Sequence, residues 1–128
     1  MTDSKLDTDD ELWLFKSYAD ETDIEAVTDV IQRGTWWANG PEIEAFEEAV
    51  ADATGTDHAV AFNSGTTALY GQLLAHDVAG GEVIVPSFTF PATANAVVAA
   101  GGTPVFADIE EESLALSADS VREAVTDD

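Results

Sequence analysis

Asn63-Ser-Gly-Thr-Thr-Ala-Leu69 follows the apolar run His58-Ala-Val-Ala-Phe62 and leads straight into a helical pattern, and the reading of this junction decides the fold. It describes a strand, a tight turn and the first turn of a helix, where an α/β protein most readily holds an anion. The first N–H groups of a helix have no partner inside it, and the helix dipole adds partial positive charge there. Ser64 and Thr66 offer hydroxyls, and Gly65 lets a ligand approach the backbone with no Cβ in the way. The competing reading of this heptad by itself is that Ser64 or Thr66 simply caps the helix.

Downstream, the chain alternates strand and helix. The pattern predicts a strand over His58 to Phe62, a helix over Thr66 to His76 and, after Gly80-Gly81, a strand over Glu82 to Pro86. A helix over Ala92 to Ala100 and a strand over Pro104 to Ala107 follow, and Ser117 is placed to cap a last helix. Helices of this length between strands indicate βαβ units, hence an α/β fold with a mainly parallel sheet and flanking helices. The helix over 92 to 100 is apolar on nearly every side, which predicts burial on more than one face. Three parallel strands with such a helix call for more layers than the remaining chain supplies, so the expectation is an incomplete domain or a chain that needs a partner.

Upstream, residues 1 to 10 are polar and acidic. Leu12, Trp13, Leu14, Phe15 and Tyr18 are hydrophobic enough to be expected to pack on something. Ile24, Val27, Val30 and Ile31 recur at helical spacing from Glu21 to Arg33, with Gly34 where a helix would end. Thr35-Trp-Trp-Ala-Asn-Gly40 reads as a loop whose adjacent Trp36 and Trp37 cannot both face one core. Pro41 starts a helix with Ile43, Phe46, Ala49, Val50 and Ala53 as its buried stripe and Glu42, Glu44, Glu47, Glu48 and Asp52 as its wet face, ended by Gly55. Residues 1–20 thus form an N-terminal segment and 21–128 the domain proper.

Composition narrows the function. Against 26 Asp and Glu stand Lys5, Lys16, Arg33 and Arg122, a net charge of −22 and a pI of about 4.1. A field of that sign excludes ordinary nucleic-acid binding. The carboxylates are scattered through apolar-patterned segments, so they belong to folded surfaces rather than to an acidic tail. Near 1 M salt the Debye length falls to about 3 Å and such self-repulsion is screened, which points to a salt-adapted cytoplasm like that of halophiles. No calcium-loop spacing occurs, and the cluster Asp108 to Ser113 reads as a solvated turn. The absence of cysteine excludes disulfides and thiolate chemistry. No apolar run reaches membrane-spanning length and the N-terminus has no signal-peptide core, so a cytoplasmic protein with no membrane partner is expected. His58 and His76 lack metal-ligand spacing.

Ligands of open parallel sheets bind beyond the carboxyl ends of the strands. The exits are Asn63 to Thr67, Pro86-Ser-Phe-Thr-Phe90 and Asp108, which would place an anion cup, two aromatic rings and a carboxylate on one edge. That combination suits a phosphorylated aromatic ligand. Phe88 and Phe90 alternate with Thr89, so one ring could cover a flat ligand while the other packs inward, the competing reading being that both belong to the core. Neither a G-x-x-x-x-G-K-[ST] loop nor a G-x-G-x-x-G turn occurs.

The order GTWWANGPEIEAFEEAVADATGTDHAVAFNSGTTAL, then GGEVIVPSFTFPATANAVVAAGGTPVFADIEEESLALS, resembles the amino-terminal part of the DegT/DnrJ/EryC1/StrS aminotransferases, continuously from about Glu21 to Val125. The resemblance implies the aspartate-aminotransferase fold (fold type I) and the cofactor pyridoxal 5'-phosphate (PLP). It also implies amination of nucleotide-linked keto-sugars from an amino-acid donor in a homodimer. It makes Gly65 and Thr66 ligands of the cofactor phosphate, Phe90 the ring platform in preference to Phe88, and Trp36 and Trp37 part of the substrate end. Asp108 matches a recurrent acid of the family and is read as structural.

The departure from the family is catalytic. The chemistry needs a Schiff-base lysine and a carboxylate on the pyridine nitrogen. In the family both fall downstream of the matching region, and Lys5 and Lys16 are no substitute. The expectation is therefore the amino-terminal part of such an enzyme, with no catalytic residue among these 128. The alternatives are a non-catalytic fragment or partner-dependent assembly subunit and, within the family, a sugar dehydratase.

Overall fold

A computed structural model describes residues 15–35 and 38–126, which fall in two compact units, Met1–Ala45 and Phe46–Asp128. Helix α1 spans Glu21–Arg33. Asp20 caps it by accepting the Thr22 N–H at 2.9 Å, while the Asp20 N–H donates to the Asp23 carboxylate at 2.8 Å, a reciprocal arrangement that satisfies donors on both sides of the cap. Hydrogen bonds from the Thr22 hydroxyl and N–H hold the Asp20 carboxyl below its ordinary pKa. Gly34, at φ 70°, ends the helix with its N–H on the Ile31 carbonyl. Of the segment expected to pack before α1, Leu12, Trp13 and Leu14 lie outside the described residues, and Phe15 and Tyr18 are exposed, with no cover among the described residues.

Helix α2 spans Pro41–Thr54 and crosses from the first unit into the second. Within the first unit, Arg33 at the end of α1 grips Glu42 at the start of α2 with two parallel bonds, 2.6 and 3.0 Å, while its Nε donates to the Thr35 carbonyl at 3.2 Å. The fork geometry suits a guanidinium and a carboxylate. The bond from Arg33 holds the Glu42 carboxyl below its ordinary pKa. A depressed carboxylate adds stability above its unfolded pKa and loses it as pH falls through its folded one. Glu42→Gln should therefore flatten the acid side of the melting-temperature profile, below about pH 4.5, relative to the wild type. The pair is solvent-exposed, so the difference is small near neutrality. Identical acid slopes in the two proteins would contradict this assignment.

In the second unit, α3 covers Gly65–Ala75, β1 Glu82–Pro86, α4 Ala92–Ala99, β2 Thr103–Ala107 and α5 Ala118–Ala124. The two strands pair in parallel with Glu82 opposite Thr103 and Pro86 opposite Ala107. That register is set before the strands begin. Gly80 and Gly101 both adopt the left-handed conformation, the Gly80 N–H donates to the Gly101 carbonyl at 2.9 Å, and the Thr103 N–H reaches the Gly81 carbonyl at 2.9 Å. Because the Thr103 N–H points at β1, the next backbone nitrogen points away, and Pro104 sits there without costing the ladder a bond. α4 crosses between the strands and packs on both, α3 lies on α4, and α5 on β2.

The core is built from small side chains: Val85, Ala96, Val97, Ala100 and Ala107 are buried, with Ala51 of α2. The expectation of burial around α4 holds on one side only. Val97 is 1% exposed and its neighbour Val98 is 61% exposed, because the strands cover one face and α3 part of the rest. The predicted strand over His58 to Phe62 is also corrected. These residues run to the α3 turn with no strand assigned to them, since a strand exists only with a ladder partner and none is present among the described residues. Among the described residues the sheet has two strands rather than three.

Candidate functional site

Ser64 is the N-cap of α3 in extended conformation (φ −162°, ψ 157°), and its hydroxyl oxygen accepts the Thr67 N–H at 3.2 Å. Thr67 Oγ1 lies 2.6 Å from Asn63 Oδ1, 2.9 Å from the Ser64 carbonyl and 3.0 Å from Ser64 Oγ. One hydroxyl carries one proton, so the shortest contact, to Asn63, takes it, leaving the Ser64 hydroxyl to donate to Thr67. The capping reading and the anion reading thus fall on different residues. Ser64 and Thr67 are used up by the cap. The Gly65 and Thr66 N–H groups and the Thr66 hydroxyl have no hydrogen-bond partner among the described residues. A Cβ built on Gly65 would meet nothing within 4 Å, so the approach to these donors is open.

At the carboxyl ends of the strands, the Ser87 N–H donates to the Ala107 carbonyl at 2.8 Å, joining the β1 exit to the β2 exit. Asp108 then serves the turn itself. Its Oδ1 accepts the Ile109 N–H at 2.8 Å and, at a long 3.4 Å, the Ser87 hydroxyl. Its backbone N–H donates to Ser120 Oγ on α5 at 2.8 Å, and its carbonyl accepts the Ser117 N–H at 2.9 Å. These are the bonds of a residue that fastens a strand end to the next helix. Phe90 is 76% exposed and Phe88 67% exposed. The expected inward partner of the pair is therefore absent. Both rings lie on the loop beyond β1, where no described element covers them. Two of the three exit loops are hydrogen-bonded together, and the third belongs to α3, which packs on α4.

Trp36 and Trp37, expected at the substrate end, lie outside the described residues, as does Lys5; Lys16 is exposed on the segment before α1. No cluster of potential metal ligands occurs among the described residues, and no helix of these residues is long and apolar enough to cross a membrane. The buried face of α2 is corrected: of its expected stripe, Ile43, Phe46, Ala49 and Ala53 are exposed and Val50 is half-buried, while Ala51 is buried. Glu47, expected on the wet face of α2, is half-buried and accepts the Ala61 N–H at 2.7 Å. Glu47, Val50 and Ala51 fall at i, i+3 and i+4, a face of the helix turned away from the expected stripe.

Comparison with known proteins gives one picture. The model of the DegT/DnrJ/EryC1/StrS aminotransferase family matches residues 17–128. The spore coat polysaccharide biosynthesis protein SpsC of Bacillus subtilis is 42% identical over 105 residues, which cover 81% of this chain and 27% of SpsC. Spr1654 of Streptococcus pneumoniae, designated a sugar aminotransferase and solved in its PLP form, superposes with a TM-score of 0.79 at 33% identity, over 85% of this chain and 28% of that one. GDP-4-keto-6-deoxymannose-3-dehydratase, solved with a trapped PLP-glutamate geminal diamine, gives a TM-score of 0.80 at 27% identity over 91% of this chain and 32% of that one. The chain therefore spans less than a third of the length of these relatives, and its α/β unit is part of their fold type I architecture. On the extent of the family match and the identity to its members, this chain belongs to the DegT/DnrJ/EryC1/StrS aminotransferase family.

Proposed function

We propose that this chain supplies the phosphate cup and ring platform of a PLP-dependent enzyme that aminates nucleotide-linked keto-sugars, drawing the amino group from an amino-acid donor. The observation that carries the reading is the open start of α3, where the Gly65 and Thr66 N–H groups and the Thr66 hydroxyl have no partner among the described residues and a Cβ on Gly65 would meet nothing within 4 Å. The donor set fits a phosphate monoester: two main-chain donors, a hydroxyl and the positive end of a helix, with no carboxylate among them. When bound, PLP supplies the electron sink for amino transfer. Gly65 and Thr66 hold its phosphate, and Phe90 offers a flat apolar face to its ring. Trp36 and Trp37 are assigned to the substrate end. None of these 128 residues is assigned to the covalent step. The enzyme is proposed to work as a homodimer in a salt-rich cytoplasm, with residues 21–128 as part of its major domain.

A second reading, sugar dehydration on the same cofactor site, is supported by the likeness to the GDP-sugar dehydratase. It leaves the roles of Gly65, Thr66 and Phe90 unchanged. The test uses pyridoxamine 5'-phosphate, which binds without a covalent bond, titrated against the chain in molar KCl by fluorescence, with pyridoxamine as control. The phosphate form should bind and the control should bind at least tenfold more weakly. Thr66→Val, which deletes one hydroxyl, should cost about tenfold in affinity. Equal binding of the two probes would overturn the proposal.

A further inference from the structure

Residues 58–62 deliver the chain to the cup, yet among the described residues they have no strand partner to hold them. Their attachments come instead from side chains. The Thr56 hydroxyl donates to the His58 carbonyl at 3.2 Å. Glu47 Oε1 accepts the Ala61 N–H at 2.7 Å, and the Phe62 ring lies against α3 at Gly71. The Glu47 bond stands apart from the other carboxylate bonds to the main chain. Asp20, Asp23 and Asp108 accept main-chain N–H groups no more than three residues away, whereas Glu47 reaches fourteen residues along the chain, from α2 to the segment that ends at the cup.

We infer that Glu47 is a positioning residue, whose carboxylate pins the Ala61 N–H and thereby fixes where Asn63 to Thr66 present their donors. The inference rests on the phosphate-cup reading given above. A carboxylate so near an anion site adds nothing by its charge, since like charges repel. Its contribution is as an acceptor, and a half-buried main-chain N–H deprived of its acceptor is left unsatisfied. With the pin removed, the segment spends less time in the geometry that binds, and apparent affinity falls by the fraction of competent molecules lost.

Three variants separate this role from simple destabilisation. Glu47→Gln keeps an acceptor at the same reach and removes the charge. Glu47→Ala removes the acceptor, and Glu47→Asp keeps the charge but withdraws it by one methylene. Amide hydrogen exchange at Ala61 and pyridoxamine 5'-phosphate affinity would be measured in molar KCl, with thermal melting as the control for folding. Glu47→Ala and Glu47→Asp should speed exchange at Ala61 and weaken binding about tenfold, whereas Glu47→Gln should stay within about threefold of the wild type in both. If Glu47→Ala does not fold, the Asp and Gln pair carries the comparison. Unchanged affinity beside faster exchange in the Asp variant, or a Gln variant as weak as the Asp variant, would overturn the inference. Failure of the wild type to prefer the phosphorylated probe would instead remove the cup reading, while the exchange result would still decide whether Glu47 pins the segment.

Discussion

Diluting this chain from 2 M to 0.1 M KCl at neutral pH should lower its melting temperature by roughly 10–15 °C, the equivalent of about 3 kcal/mol for a domain of this size. The driving force is the net charge of −22. At 0.1 M salt the Debye length is about 10 Å, comparable to the spacing of carboxylates on one helix face, and at 1 M it is about 3 Å. Four cations cannot neutralise 26 acids in any arrangement. Among the described residues they form two ion pairs, Arg33 with Glu42 and Arg122 with Asp119, both at the surface. The hydrophobic side offers little reserve, because the core is made of alanine and valine while Phe62, Phe88, Phe90 and Phe106 stay exposed.

Salt also strengthens apolar burial, so pH provides the discriminating control. At 0.1 M KCl, lowering pH from 7 toward 5 removes negative charge and should raise the melting temperature. At 2 M KCl the same change should do little. This runs against the loss of the Arg33–Glu42 pair, which also lies on the acid side but involves a single exposed carboxylate. Melting temperatures that agree at both salt concentrations, or that fall with pH at low salt, would show that charge repulsion is not what limits folding.

The sequence carried the helices almost residue for residue because their ends are written locally. Gly34 stops α1, Pro41 opens α2, and Ser64 and Ser117 cap α3 and α5, the latter with its hydroxyl on the Ser120 N–H. β1 and β2 were legible for a related reason, since glycine pairs at 80–81 and 101–102 start both strands and fix their register together. The segment 58–62 reads as a strand just as clearly, and nothing local reveals that its ladder partner is missing from the described residues. Glu47 was illegible for the opposite reason. Charge alone put it on the wet face, and only the partner fourteen residues away, a backbone N–H in an unpaired segment, makes a half-buried carboxylate favourable. The proposed cup reads as an anion site from the sequence, but which hydroxyls cap and which stay free depends on the local geometry. Ser64 and Thr67 take the cap, and Thr66 is left over.

Gly71→Ala should destabilise the chain by about 1–3 kcal/mol, although alanine at a helix interior ordinarily stabilises by about 1 kcal/mol relative to glycine. Gly71 lies inside α3, and a Cβ built on it would sit 2.6 Å from Cζ and 2.8 Å from Cε1 of Phe62. Real atoms do not approach so closely, so the ring or the segment carrying it must move. The helix thus bears the entropic cost of glycine to let the tip of the Phe62 ring approach it. The clashing atoms do not exist in leucine, which makes the sign of the effect conditional. In a Phe62→Leu background, itself modestly destabilised by lost contact area, Gly71→Ala should become stabilising by about 0.5–1 kcal/mol. The four proteins would be compared by urea unfolding in molar KCl, and a Gly71→Ala effect of the same sign in both backgrounds would remove the contact from the account. The same cycle bears on the cup, because Phe62 immediately precedes Asn63 and Ser64. Displacing the ring in Gly71→Ala should weaken pyridoxamine 5'-phosphate binding even at temperatures where the variant remains folded. The double variant should recover part of that loss, since the smaller side chain at position 62 can then settle back against the helix.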